Sequence, residues 1–210
     1  MDRAAERELE PRFNIAPTQD APIIVAGSGN KMVVMRWGFI PFWAKDKRIG
    51  GRLINARAEG IAKRPAYRAS VKKRRCIVPA TGFYEWLATD RGKVPYYLHL
   101  KNEEIFGMAG LYDRWRSPDD SEIHSFTIIT TEPNDLARPI HNRMPVILHR
   151  EDEQRWLAPE PLESKDLEGL LKPYPADEME AYRVSRDVNS PMVDEPELIE
   201  PVTDRRQKGS

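Results

Sequence analysis

Three short polar runs carry side chains able to move a proton or to hold an anion. In the first, Leu53-Ile54-Asn55-Ala56-Arg57-Ala58-Glu59, alternation puts Asn55, Arg57 and Glu59 on the face opposite Ile54 if the segment is extended. The second, Thr81 to Leu87, sets Glu85 between Tyr84 and Trp86 in a stretch of high strand propensity. A carboxyl there either faces solvent or sits in a partly apolar pocket, where desolvation raises its pKa toward general acid or base work. The third, Ala137 to Leu148, holds His141 and Arg143 between Pro139 and Pro145, so an imidazole that exchanges a proton near neutrality stands on a stiff loop. Each run also reads as an ordinary surface segment, and pattern alone leaves both readings open. His99, His124 and His149 have no comparable surroundings. With one cysteine and no pair of ligand types at a metal-site spacing, no metal is indicated. No glycine-rich phosphate loop is present, and no cofactor is expected.

The elements that must position these runs are short, because 18 prolines punctuate the chain. Strands are predicted at 23–25, 32–37, 76–78, 82–86, 96–100, 105–111 and 125–131, where β-branched and aromatic residues are bounded by Gly, Pro and Asp. Helices are predicted at 151–156 and 165–171, with weaker signals at 58–63 and 133–138, the latter capped by Thr130 or Thr131. Many strands with few helices imply an α+β fold: a mixed, largely antiparallel β core, barrel-like, with peripheral helices. A chain of 210 residues suits a single domain, here 1–202, followed by a polar tail at 203–210 whose final Lys-Gly-Ser reads as a cloning remnant.

Composition narrows the function classes. Charged residues at 31% against 40% apolar describe a globular chain with a mean hydropathy of -0.63. Acidic and basic residues balance at 33 each, so any nucleic-acid surface is a local basic patch. No apolar run approaches the roughly 20 residues that span a bilayer, and the charged first ten residues lack a signal-peptide core, which points to the cytoplasm.

Seven motifs in order carry a resemblance that none carries alone. They are RFNIAPTQ (12–19), RWGFIPFWA (36–44), LINARAE (53–59), RRCIVPATGFYEW (74–86), ITTEPN (129–134), IHNRMPVIL (140–148) and VSRDVNSP (184–191). Together they resemble the SOS-response-associated peptidase family over 12–202. The resemblance implies a partner, single-stranded DNA with an abasic site, and a covalent link made by an N-terminal cysteine exposed when the initiator Met is removed. It implies that Asn55, Glu85 and His141 are catalytic: Glu85 transferring protons as the sugar ring opens, His141 assisting that transfer and crosslink reversal, and Asn55 orienting the reacting groups. DNA contacts carry over to Asn14, Pro17, Arg57, Arg143 and Pro145, and base stacking to Phe42 and Trp43. The run Lys72-Lys73-Arg74-Arg75 extends the basic surface or is simply solvated. A monomer is expected.

One departure stands out. Family chains begin Met-Cys-Gly-Arg, whereas Asp2 stands here, and Cys76 has no adjacent free amine with which to close a thiazolidine. The expectation is that Met1 is an internal methionine of a longer reading frame, the eleven residues before Arg12 being the end of a lost helix. The rival readings are a binding module for abasic single strands without chemistry and, taking the family name literally, a protease, for which no nucleophile with a His partner is evident.

Overall fold

The computed structural model describes residues 10–27 and 29–202; the expectations for the first nine residues and for the tail lie outside them. The chain builds β1 (Asp20–Val25), β2 (Lys31–Trp37), β3 (Asn55–Arg57), α1 (Arg68–Lys73), β4 (Arg75–Ala80), β5 (Phe83–Thr89), β6 (Gly92–Leu100), β7 (Phe106–Arg116) and β8 (Glu122–Thr131). Then come β9 (Met144–Pro145), β10 (Ile147–Leu148), α2 (Arg150–Leu157), α3 (Ser164–Leu170) and β11 (Met179–Arg183).

The larger sheet runs β10-β7-β4-β1-β2-β8-β3, and β7 also pairs β8, so β1, β2, β8, β7 and β4 bond around in a ring. Pairings within it are antiparallel except β2 and β3 on β8. A smaller antiparallel sheet, β11-β6-β5, carries Glu85. This is the α+β fold with a mixed, largely antiparallel β core that short strands and scarce helices imply.

Alternating apolar residues fill the ring: Ile23, Met35, Cys76, Val78, Met108, Phe126 and Ile128 belong to one buried cluster. A second cluster packs α1, α2 and α3 on the outside through Val71, Trp156, Leu157, Leu167 and Leu170. Trp156 anchors it, fully buried, with Nε1 donating to Cys76 O at 2.8 Å and the Arg75 guanidinium over its ring.

Every predicted strand is present within a few residues, but two weak helices are not. Residues 135–140 form turns instead: Thr130 and Thr131 belong to β8, and Pro139, which has no N–H, interrupts the ladder between the bonds from Arg138 N to Asn134 O and from His141 N to Ala137 O. The cap is Asn134, whose Oδ1 accepts from Ala137 N at 2.9 Å. The signal at 58–63 shrinks to a 3-10 turn at Ile61–Lys63, between Gly60 at φ 66° and Pro65.

Glycine is required where two loops touch. Gly38, at φ 134°, lies against Gly50, and a Cβ on Gly50 would stand 2.6 Å from Gly38 O. That contact locks the connection after β2 to the 3-10 turn at Lys47–Arg52.

Candidate active site

Glu85 and His141 meet. β5 pairs β6 with Glu85 opposite Tyr96, which turns the carboxyl out of the small sheet. His141 stands on the loop before β9, its amide bonded to Ala137 O at 2.9 Å. Glu85 Oε1 lies 3.5 Å from His141 Nδ1, with the carboxyl the more buried partner at 21% exposure against 43% for the ring. Burial raises the Glu85 pKa above the usual carboxylate range, while the facing imidazole, the Trp86 amide and Lys93 pull it back. Nδ1 also lies 3.2 Å from Arg143 N and 3.1 Å from Arg143 O, so the main chain of Arg143 can donate to the neutral ring or accept from the protonated one. Either way Nδ1 is occupied, which leaves Nε2 as the atom for a substrate.

β8 brings the first polar run to the third. Its parallel pairing with β3 sets Arg57 opposite Thr130, and its antiparallel pairing with β9 sets Thr130 opposite Pro145. Across this register the Arg143 guanidinium grips Glu59, Nη1 to Oε1 at 2.7 Å and Nη2 to Oε2 at 3.0 Å, and also donates to Thr130 O. Asn55 and Arg57 are exposed on β3, with Ala56 buried between them, so the run is extended over 55–57, whereas Ala58 and Glu59 turn away from the strand. β3, which carries Asn55, and β9, which follows the His141 loop, both pair β8. Tyr67 Oη donates to the Asn55 backbone carbonyl at 3.5 Å.

The residues expected to face DNA divide by burial. Pro17 is exposed beside Thr18, whose φ is 75°. Phe42 and Trp43 are exposed at 57% and 50%. They stand on a loop tied to β7, where Phe42 N donates to Asp113 Oδ2 at 3.0 Å and Trp115 Nε1 to Ala44 O at 2.7 Å. Asn14, by contrast, is buried, and its Nδ2 donates to Val188 O, Ser190 O and Val193 O at 3.2, 3.0 and 3.0 Å. Pro145 is buried in β9. Of the basic run, Arg75 is internal, donating to the carbonyls of Val71, Trp156 and Glu160, and Arg74 pairs with Asp113 at 3.1 Å. Arg75 thus ties α1 to α2, and Arg74 ties the end of α1 to β7. Cys76 is wholly buried, and burial pushes its thiol far up, so it is not a nucleophile.

Three residues hold the site in roles that the sequence did not indicate. Thr130 supplies the carbonyl that Arg143 holds, Asp113 steadies the aromatic loop, and Asp194 accepts from Phe13 N and Asn14 N at 2.5 and 2.9 Å. Each acts across more than twelve residues of sequence, where local pattern carries no information.

The chain has relatives among known proteins. The family model described as SOS response associated peptidase (SRAP) matches residues 1–191. This chain belongs to the SRAP family. Among its relatives, the abasic site processing protein YoqW of Bacillus subtilis (strain 168) is 48% identical over 197 residues, covering 93% of this chain and 88% of its own. The abasic site processing protein HMCES of Xenopus tropicalis is 28% identical over 234 residues, covering 96% of this chain and 69% of its own. A crystal structure of a protein from Bacteroides thetaiotaomicron superposes with a TM-score of 0.81 at 37% identity, covering 89% of this chain and 82% of that one.

Proposed function

We propose that this SRAP chain processes abasic sites in DNA, acting on single strands, with Glu85 and His141 as the proton-transfer pair and Asn55 orienting the sugar. The observation that carries the reading is the 3.5 Å contact between a carboxyl of raised pKa and an imidazole whose Nε2 remains for a substrate. The names of the relatives supply the lesion.

An abasic deoxyribose rests as a cyclic hemiacetal. Opening it takes the proton from the C1′ hydroxyl, breaks the bond between C1′ and the ring oxygen, and returns a proton to that oxygen, leaving an aldehyde at C1′. Net proton count is unchanged, which suits a carboxyl and an imidazole held side by side, one taking a proton while the other returns one. Arg57, exposed on β3, and Arg143, held by Glu59, suit the flanking phosphates. Phe42 and Trp43 offer rings to neighbouring bases, each stacked base contributing about 1–3 kcal/mol.

Because Cys76 is sealed in the core, it forms no covalent bond with the aldehyde. The same burial favours a second reading, binding without chemistry. The two separate in one experiment. Saturating protein is added to an abasic single-stranded oligonucleotide, and capture of the aldehyde by a small aminooxy probe is timed. Ring-opening catalysis speeds capture, and Glu85→Gln or His141→Ala abolishes the gain while binding persists. Capture no faster with bound wild-type protein than without it leaves the binding reading.

A further inference from the structure

Glu59 has no part in the chemistry described above, yet its place in the structure is specific. We infer that Glu59 is a positioning residue: it fixes the Arg143 fork and, through the Arg143 main chain, the ring of His141. The geometry is a continuous chain of contacts. Both Glu59 oxygens meet both terminal nitrogens of Arg143, at 2.7 and 3.0 Å, although the two residues stand 84 positions apart. Arg143 N and O then bracket His141 Nδ1, which faces Glu85.

An exposed ion pair ordinarily does little. Here the Arg143 side chain is only 19% exposed, its Nε is buried without a hydrogen-bond partner, and one terminal nitrogen also reaches Thr130 O. Glu59 and the Thr130 carbonyl are thus what holds a largely buried guanidinium in place. A bidentate carboxylate fixes its plane as well as its position. The Arg143 side chain in turn constrains the two-residue step back to His141.

The sign of one substitution separates positioning from simple charge. A carboxylate beside a DNA surface repels phosphate, so removing its charge should tighten binding. If Glu59 aligns Arg143, Glu59→Gln weakens binding instead. This DNA arm rests on the proposed function, whereas the histidine arm below does not.

The test uses the full chain. Imidazole nitrogen resonances of His141, assigned by their loss in His141→Ala, are compared between wild type and Glu59→Gln without DNA. Anisotropy then measures binding to a single strand carrying a tetrahydrofuran abasic analogue, with Asp135→Asn as a control for an exposed carboxylate. We expect the His141 Nδ1 resonance to shift and broaden in Glu59→Gln. Affinity should fall roughly tenfold, matching a lost charge-assisted hydrogen bond. Arg143→Gln should give a similar loss, and the double variant no further one, while Glu59→Asp retains part of the affinity. Unchanged His141 resonances, or binding by Glu59→Gln as tight as wild type or tighter, would overturn the inference. If wild type fails to bind the oligonucleotide, the functional reading falls, and the resonances still decide the role of Glu59.

Discussion

Asn14 is the residue at which resemblance and structure part most clearly, and replacing it with Ala separates a clamp from a DNA contact. The amide has two N–H groups facing three carbonyls on the segment from Val188 to Val193, so two good hydrogen bonds are lost at once. At about 1 kcal/mol net each, and with some further cost for carbonyls left in a buried site, the loss is about 2–3 kcal/mol. For a chain of this size that lowers Tm by about 5–10 °C. Asn14→Asp should be worse, since a carboxylate would face carbonyl oxygens, and its deficit should shrink in acid as the new carboxyl protonates. Differential scanning calorimetry gives the melting shift, and anisotropy at a temperature where both proteins are folded gives DNA affinity. The clamp predicts a large melting shift with affinity little changed well below Tm. A variant that melts within about 1 °C of wild type yet no longer binds abasic DNA would refute the reasoning and return Asn14 to the DNA surface.

Other consequences follow from single contacts. Because burial raises the Glu85 pKa, the folded state gains from its proton; that stability is full below the unfolded value of about 4.5 and is lost as pH rises through the raised folded value. Glu85→Gln should therefore melt higher than wild type at neutral pH, with the gap closing in acid, as thermal melts across pH 4–8 would show. Trp156→Ala should cost about 3–5 kcal/mol in a urea titration, since it empties the outer cluster and unpairs Cys76 O. Cys76 should resist a thiol reagent in native buffer and react fully in denaturant, which a colorimetric thiol assay checks. Arg57→Gln should make the salt slope of single-strand binding shallower by about 0.7, the share of one phosphate; an unchanged slope removes Arg57 from the contact.

How far the sequence discloses this molecule depends on the range of the interactions concerned. Strands were legible wherever β-branched and aromatic residues alternate, as in Met32 to Trp37 and Ser125 to Thr131, because that signal is local. α1 was not legible: in Arg-Ala-Ser-Val-Lys-Lys only Ser70 and Val71 are buried, so no apolar period appears. β11 was missed because Met179 to Arg183 becomes a strand by pairing with β6, about eighty residues earlier. In the site, the residue types of Glu85 and His141 announced proton chemistry, but their contact depends on the small sheet approaching the loop before β9. Exposure divided the expected DNA contacts in a way no motif shows. Asn14 and Arg75 are polar residues turned inward to bond carbonyls, and a sequence cannot tell a buried, satisfied polar group from a solvated one.

The central claim is that Glu85 and His141 open the abasic sugar, and ring opening can be watched directly. An oligonucleotide carrying an abasic site labelled with 13C at C1′ shows separate α and β hemiacetal signals, which interconvert only through the open aldehyde. Exchange spectroscopy on the bound oligonucleotide should show interconversion faster than in the free strand with wild-type protein, and no faster than in the free strand with Glu85→Gln. Equal exchange rates for free and wild-type-bound strands, at saturation, would contradict the account.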